Sequence, residues 1–356
     1  MRNTSFRRVF FSSKVATLVT AIAYFACLYS PSYAQLIPNL GGQRAGISSF
    51  SFLKNDVSPR AIGLGGAVTT LKGDEYASQW NPAALVETGN HSFAASTRLY
   101  NNGINHSFFA ANFRLRETDF MALSVNNVTS GTMERRTELQ PNGTGELFSV
   151  NAMAIGLTYS KALTYRFSFG STVKYLNETY DVYTSHNVAV DVGFIYKTDF
   201  RNFRFGVFLQ NFGPNASARG SYVPYTFSGK KQSNEAYSTP TVFKIAGSLD
   251  VLKIGNHAIV CLGEINHPND NATNLRFGAE YLFQDLFYLR TGYWANLQGI
   301  NVPTFGTGFR TIIKNQTIYI NYAVAIPLAF GGVNHNIGIS MVFNYSPVQK
   351  SVDAAN

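Results

Sequence analysis

The residues best equipped for chemistry in this sequence are six histidines, two cysteines and a scatter of charges at alternating positions. His91, His106, His186, His257, His267 and His335 fall near strand ends or in loops. None stands at ligand spacing from a cysteine or a carboxylate, and no His-Glu helical motif occurs. Cys261 is the one cysteine outside the N-terminal apolar stretch, so neither a disulfide framework nor a thiolate metal centre is expected. No nucleophile stands beside a base, so no catalytic residue, metal or cofactor is expected and an enzyme is disfavoured. Arg60 with Gly63, Gly65 and Gly66 could cradle a phosphate only with the lysine and hydroxyl of a phosphate loop, which are missing. Those glycines read instead as tight turns and close backbone approach.

The charges left over are Arg166, Lys174, Asp191, Arg276, Glu280 and Arg290. They share a register, and period two sets it. From 275 to 294, Leu275, Phe277, Ala279, Tyr281, Phe287, Leu289 and Tyr293 alternate with Arg276, Gly278, Glu280, Arg290 and Gly292. One face of each strand is therefore apolar, and the other is polar or small. A tight turn at 284–286 makes the pair a hairpin. On the polar face these charges form either a selective lining or anchors for a plug, against the plain reading of satisfied ion pairs in a polar lumen.

The start of the chain has the pattern of an export signal. Arg2, Arg7, Arg8 and Lys14 precede an apolar run, and Ser32-Tyr33-Ala34 offers small residues for cleavage, so residues 1–34 read as a signal peptide cut near Ala34. Its loss leaves 25 basic against 20 acidic residues, about +5, too mild and dispersed for nucleic acid. Charged residues make up only 14%, against about a quarter in soluble domains, while aromatics reach 14%. No apolar run after the leader is long enough for a spanning helix. Few charges, many aromatics and repeated alternation predict an all-β fold: a fourteen-stranded antiparallel transmembrane barrel, the closed sheet that lipid requires.

Residues 35–90 alternate poorly and are punctuated by glycine and proline. They read as a plug, with Arg60, Gly63, Gly65, Gly66, Asn81 and Pro82 as its turn-forming and anchoring residues and a short helix starting at Pro82. Residues 91–346 hold fourteen alternating segments, and 347–356 read as a disordered tail. Connections alternate in length. Short ones follow the even strands, and the longest, at 129–147 and 212–238, follow odd strands, as in an up-and-down barrel with short periplasmic turns. Gly170, Gly193, Gly206, Gly278, Gly292 and Gly338 fall in the inward register, where glycine permits curvature or a closely approaching plug.

Ser58-Pro59-Arg60-Ala61-Ile62-Gly63-Leu64-Gly65-Gly66-Ala67, Trp80-Asn81-Pro82-Ala83-Ala84-Leu85 and Leu209-Gln210-Asn211-Phe212-Gly213-Pro214 resemble motifs of the PorV/PorQ family. So do Gly278-Ala279-Glu280-Tyr281, Leu289-Arg290-Thr291-Gly292-Tyr293 and Phe305-Gly306-Thr307-Gly308-Phe309. Departures occur at Lys72-Gly73-Asp74-Glu75 and at Phe212. The resemblance implies a FadL-like barrel in the outer membrane of a Bacteroidetes-type bacterium, serving type IX protein secretion. Its expected partners are outer-membrane lipid and either translocon subunits or secreted cargo.

The outer loops carry residues suited to such recognition: Arg135 and Arg136 in one, Tyr222, Tyr225 and Phe227 in another, Leu328 and Phe330 in a third. The same residues would equally serve as an aromatic girdle and solvated loop tips. The alternative function is transport of a hydrophobic small ligand, which needs an apolar pocket near the plug and a lateral opening.

Overall fold

A computed structural model describes residues 47–100, 103–220, 235–296, 301–327 and 332–344. The expected leader and C-terminal tail, and the loop residues Tyr222, Tyr225, Phe227, Leu328 and Phe330, lie outside them. Among the described residues fourteen long strands form the barrel: β1 (Ser92–Leu99), β2 (Asn105–Arg114), β3 (Asp119–Glu134), β4 (Leu147–Ala162), β5 (Phe167–Tyr180), β6 (Tyr183–Lys197), β7 (Arg204–Phe212), β8 (Val242–Ile254), β9 (His257–Pro268), β10 (Asn274–Phe283), β11 (Phe287–Asn296), β12 (Val302–Ile313), β13 (Gln316–Ala325) and β14 (Asn334–Phe343). Each pairs antiparallel with its chain neighbours, and β1 closes the ring against β14 from Ser92↔Val342 to Leu99↔His335. Closure pairs every strand on both sides, as lipid requires, with one interruption between β6 and β7.

The faces are inverted relative to a soluble sheet. Leu289, Phe305 and Ile337 are at least half exposed, while Asp191, Thr158 and Asn336 are buried. The outward residues form the lipid-facing band, and the inward polar ones surround the N-terminal segment.

The strands on one side are taller than the sequence suggests. β3 continues to Glu134 because a register shift between Thr129 and Thr132, with Gly131 at φ +70°, absorbs an extra residue. The expected loop at 129–147 therefore shrinks to 135–146. The β5–β6 connection is a two-residue turn, with Asp181 at positive φ. Outer length here comes from extended strands rather than from loop.

Residues 47–90 run inside the barrel. Helix α1 (Pro59–Gly63) starts on Ser58, whose hydroxyl accepts from the Ala61 amide, with Pro59 in the first turn. Gly65 and Gly66, both at positive φ, end it: the Gly66 amide reaches back to the Ala61 carbonyl at 2.8 Å. Helix α2 (Ala77–Trp80) leads to Asn81, whose side chain caps the 3-10 turn Pro82–Thr88.

The six inward glycines explain how this segment fits. A Cβ on Gly278 would sit 2.6 Å from the Leu64 carbonyl oxygen, and one on Gly292 2.7 Å from the Gly65 Cα. Added carbons at Gly170, Gly193, Gly206 and Gly338 would strike Pro82, Asn81, Thr70 and the Tyr76–Pro59 pair. The glycines give the inner wall the relief of the segment it holds.

Candidate functional site: the plugged lumen

Three levels stack along the lumen. At the short-turn end lies a polar cavity of about 510 Å³. Arg60, Asp74, Glu75, Tyr288, Arg290 and Tyr319 line it, with Asn202, Asp250 and Asp285 at its rim. Above it the plug is pinned to the wall, and at the outer end it is apolar.

The pins are charge-assisted. The Arg60 guanidinium grips Glu280 with two nitrogens, at 2.9 and 2.6 Å. Arg290 reaches the same carboxylate at 2.6 Å and donates to Asn321 Oδ1 at 2.7 Å. Arg276 joins Asp56 at 3.0 Å and lies over the Trp294 ring. Glu87 of the plug sits between Lys197 (2.6 Å) and Arg204 (2.7 Å). Glu264 accepts from the Val68 and Thr69 amides, both at 3.0 Å. These buried charges of the wall and the plug are thus matched by hydrogen-bonded partners across the boundary between them, which a low-dielectric lumen demands.

The residues singled out in the sequence divide accordingly. Arg276, Glu280 and Arg290 meet the plug. Lys174 and Asp191 pair with each other at 2.5 Å and hold Asn211, through the Asn211 side chain and backbone amide. Arg166 is not a lumen charge. β5 begins only at Phe167, so Arg166 sits in the turn before it, ion-paired to Asp199 of the neighbouring turn. In the plug, Arg60 is an anchor, Gly63 approaches Gly306, and Asn81 with Pro82 packs on Gly193 and Gly170. Arg135 pairs with Glu146 and Asp181 just beyond β3, and Arg136 beside it is exposed.

Sequence reasoning missed Glu87 and Glu264. Glu264 shares the inward register of Leu262 and Asn266, so its parity was a usable signal; Glu87 carried none. It also missed Phe50, a fully buried residue at φ 51° and ψ 38°, whose amide donates to Glu178 Oε2 at 2.9 Å. A bulky side chain in the left-handed region is held there only by its surroundings. Phe50, Phe52 and Leu53 pack on Ala152, Ala154, Leu176, Ala189 and Ala216.

Beside this cluster the wall is interrupted. β6 pairs with β7 from Lys197 up to Val190, where Asn211 forms a bulge. Residues 185–189 of β6 have no ladder partner on that side until Tyr183 and Thr184 meet Gly220 and Arg219. Side chains bridge the gap: Asn187 donates to the Pro214 carbonyl at 2.8 Å and to Thr239 Oγ1 at 2.9 Å.

At the lower end of the plug, burial and the Asp74 charge push Glu75 up to about 7. Its carboxylate accepts from Ser340 Oγ at 2.7 Å, and Arg60, Tyr76 and Tyr319 also face this acidic pair. A carboxyl raised in the folded state is protonated there while the released segment has already lost its proton. Plug docking should therefore be strongest near pH 4.5, weaken as pH rises to about 7, and then level off. Trp80, hydrogen-bonded to Asp74, reports it. Acrylamide quenching in a W294F background should rise across that window, and rise less in E75Q, where the buried Asp74, also raised by desolvation, is the acid left.

By sequence, no protein family and no curated protein matches this chain. By structure, it is similar to the Ralstonia pickettii toluene transporter TbuX, at 12% identity and a TM-score of 0.55, over 81% of this chain and 98% of that one. The Pseudomonas putida toluene transporter TodX matches equally, at 12% identity and 0.55 over 81% and 98%. A Pseudomonas aeruginosa FadL homologue matches at 9% identity and 0.51, over 82% and 98%. With the closed ring and its inverted faces, these likenesses establish the fold as a FadL-like outer-membrane β-barrel.

Proposed function

We propose that this protein passes hydrophobic small molecules across the outer membrane, through the interrupted seam between β6 and β7, and that Phe50, Phe52 and Leu53 close that path at rest. The observation that carries this is the coincidence of the seam with a small-residue apolar wall, Ala152, Ala154, Ala189 and Ala216, filled by side chains of the plug. Withdrawal of residues 50–53 leaves an apolar pocket beside a gap in the backbone ladder. That combination suits a ligand that prefers lipid to water. The toluene transporters of like fold support the same class of cargo. Vesicles carrying F50A/F52A should take up toluene faster than wild type, and A189L/A216L should slow it. Uptake indifferent to both variants would remove the proposal.

A second reading has its own observation. The tall β3–β4 and β5–β6 hairpins carry Leu139, Leu147, Tyr180 and Val182 at the end opposite the short turns, and all four are exposed. Such a surface suits a secreted protein or a secretion-translocon subunit, as the PorV/PorQ resemblance implies. L139S/L147S should then reduce co-purified secreted protein while toluene uptake is unchanged.

A further inference from the structure

The short turns at the cavity end of the barrel repeat one arrangement. In the β2–β3 turn, Leu115 is 54% exposed and Arg116 follows it. In the β6–β7 turn, Phe200 is 73% exposed and Arg201 follows, its guanidinium 5.9 Å from the ring centroid. Lys253 stands between exposed Leu252 and Ile254 at the β8–β9 turn, and Lys314 follows Ile312 and Ile313 at the β12–β13 turn. The β4–β5 turn has Tyr165, 78% exposed, under Arg166. Only the β10–β11 turn, with Asp285, departs from the pattern.

Arg116, Arg201, Lys253 and Lys314 make no ion pair among the described residues, whereas Arg166 is committed to Asp199. Four uncompensated cations thus stand around the ring: Arg116, Arg201 and Lys314 each beside a large apolar side chain continuous with the lipid-facing band, and Lys253 on the inner side, between two such chains and the lumen cavity. An apolar group beside a long cationic side chain suits an interface where acyl chains give way to headgroups: the ring or branch enters the acyl region and the charge extends to a phosphate. The spacing around the whole circumference suits many small mobile ligands rather than one protein docked on one side.

We propose that this rim is a collar for anionic phospholipid, of the phosphatidylglycerol type, in the periplasmic leaflet. The acidic exceptions, Glu117 beside Arg116 and Asp285, interrupt the collar locally, and Asp250 is engaged by the Asn202 amide at 2.7 Å. Arg116, Arg201 and Lys314 line neither the lumen cavity nor the seam, while Lys253 also borders that cavity.

The test is lipid selectivity at the barrel surface. The full chain is reconstituted into phosphatidylcholine vesicles with a trace of spin-labelled phosphatidylglycerol or spin-labelled phosphatidylcholine. The motionally restricted fraction should favour phosphatidylglycerol at low salt, and 1 M salt should erase the preference. R201Q alone should lower it by up to about fivefold at that site, and R116Q/R201Q/K253Q/K314Q should abolish it. Heat-modifiable migration on gels confirms that each variant retains a folded barrel. Equal restriction of both lipids by wild type, or a preference that survives the fourfold variant, overturns the proposal.

Discussion

Gly292→Val should turn a closed barrel into a conducting one. A Cβ at this position would fall 2.7 Å from the Gly65 Cα and closer still to the Gly65 amide nitrogen and Leu64 carbonyl carbon. All are backbone atoms, so no rotamer change relieves the clash. Leu64 and Gly65 are themselves fixed by α1 and by the Gly65 amide bond to Thr304 Oγ1 at 3.0 Å. Overpacking of an ordinary core costs about 1–3 kcal/mol; backbone against backbone on both sides belongs at or above the top of that range. β11 cannot move away without breaking ladders to β10 and β12. The plug should therefore yield, and planar bilayers should show steps of conductance that wild type lacks. Gly263→Ala is the control, because its nearest neighbour would be a Phe277 ring atom 3.9 Å away. Silent bilayers with folded G292V would mean that the glycines serve curvature alone.

Glu280→Gln should release the plug by a different route. One carboxylate holds two guanidiniums, Arg60 from the plug and Arg290 from the wall, and all three side chains are largely buried. Neutralising it leaves two cations facing each other with one amide between them. Removing one partner of a buried pair costs about 3–5 kcal/mol, much of it the penalty on the charge left behind. Trypsin should then cut faster than in wild type at Lys54, which in the docked plug is half-buried and tied to Asp270 at 2.7 Å. The companion variant R60M/E280L/R290M removes all three charges and should restore much of that protection. If E280Q is as resistant as wild type, the triad contributes little to plug docking.

These two variants also separate what each level of description supplies. Gly292 and Glu280 were both legible as inward-facing from the alternation around them, because period two fixes the face of every residue once one is known. That glycine at 292 meets Gly65, and Glu280 meets Arg60, was not legible: the partners lie more than 200 residues apart, and strand parity says nothing of depth. Arg166 shows the limit from the other side. Its parity was inward, but β5 begins only one residue after it, at Phe167, and a turn residue follows no strand register. Phe50 and the β6–β7 seam gave no local signal either, since a positive φ at phenylalanine and an interrupted ladder are imposed by neighbours.

The sequence by itself determined a closed ring of fourteen strands, greasy outside and polar within, because lipid leaves a chain of this alternating pattern no other way to satisfy its backbone. Only the tertiary structure decided how the lumen is filled, which carboxylate serves which cation, and where the wall is left unpaired. Those depend on the depth at which the N-terminal segment settles against each strand, and depth is a property of the assembled barrel.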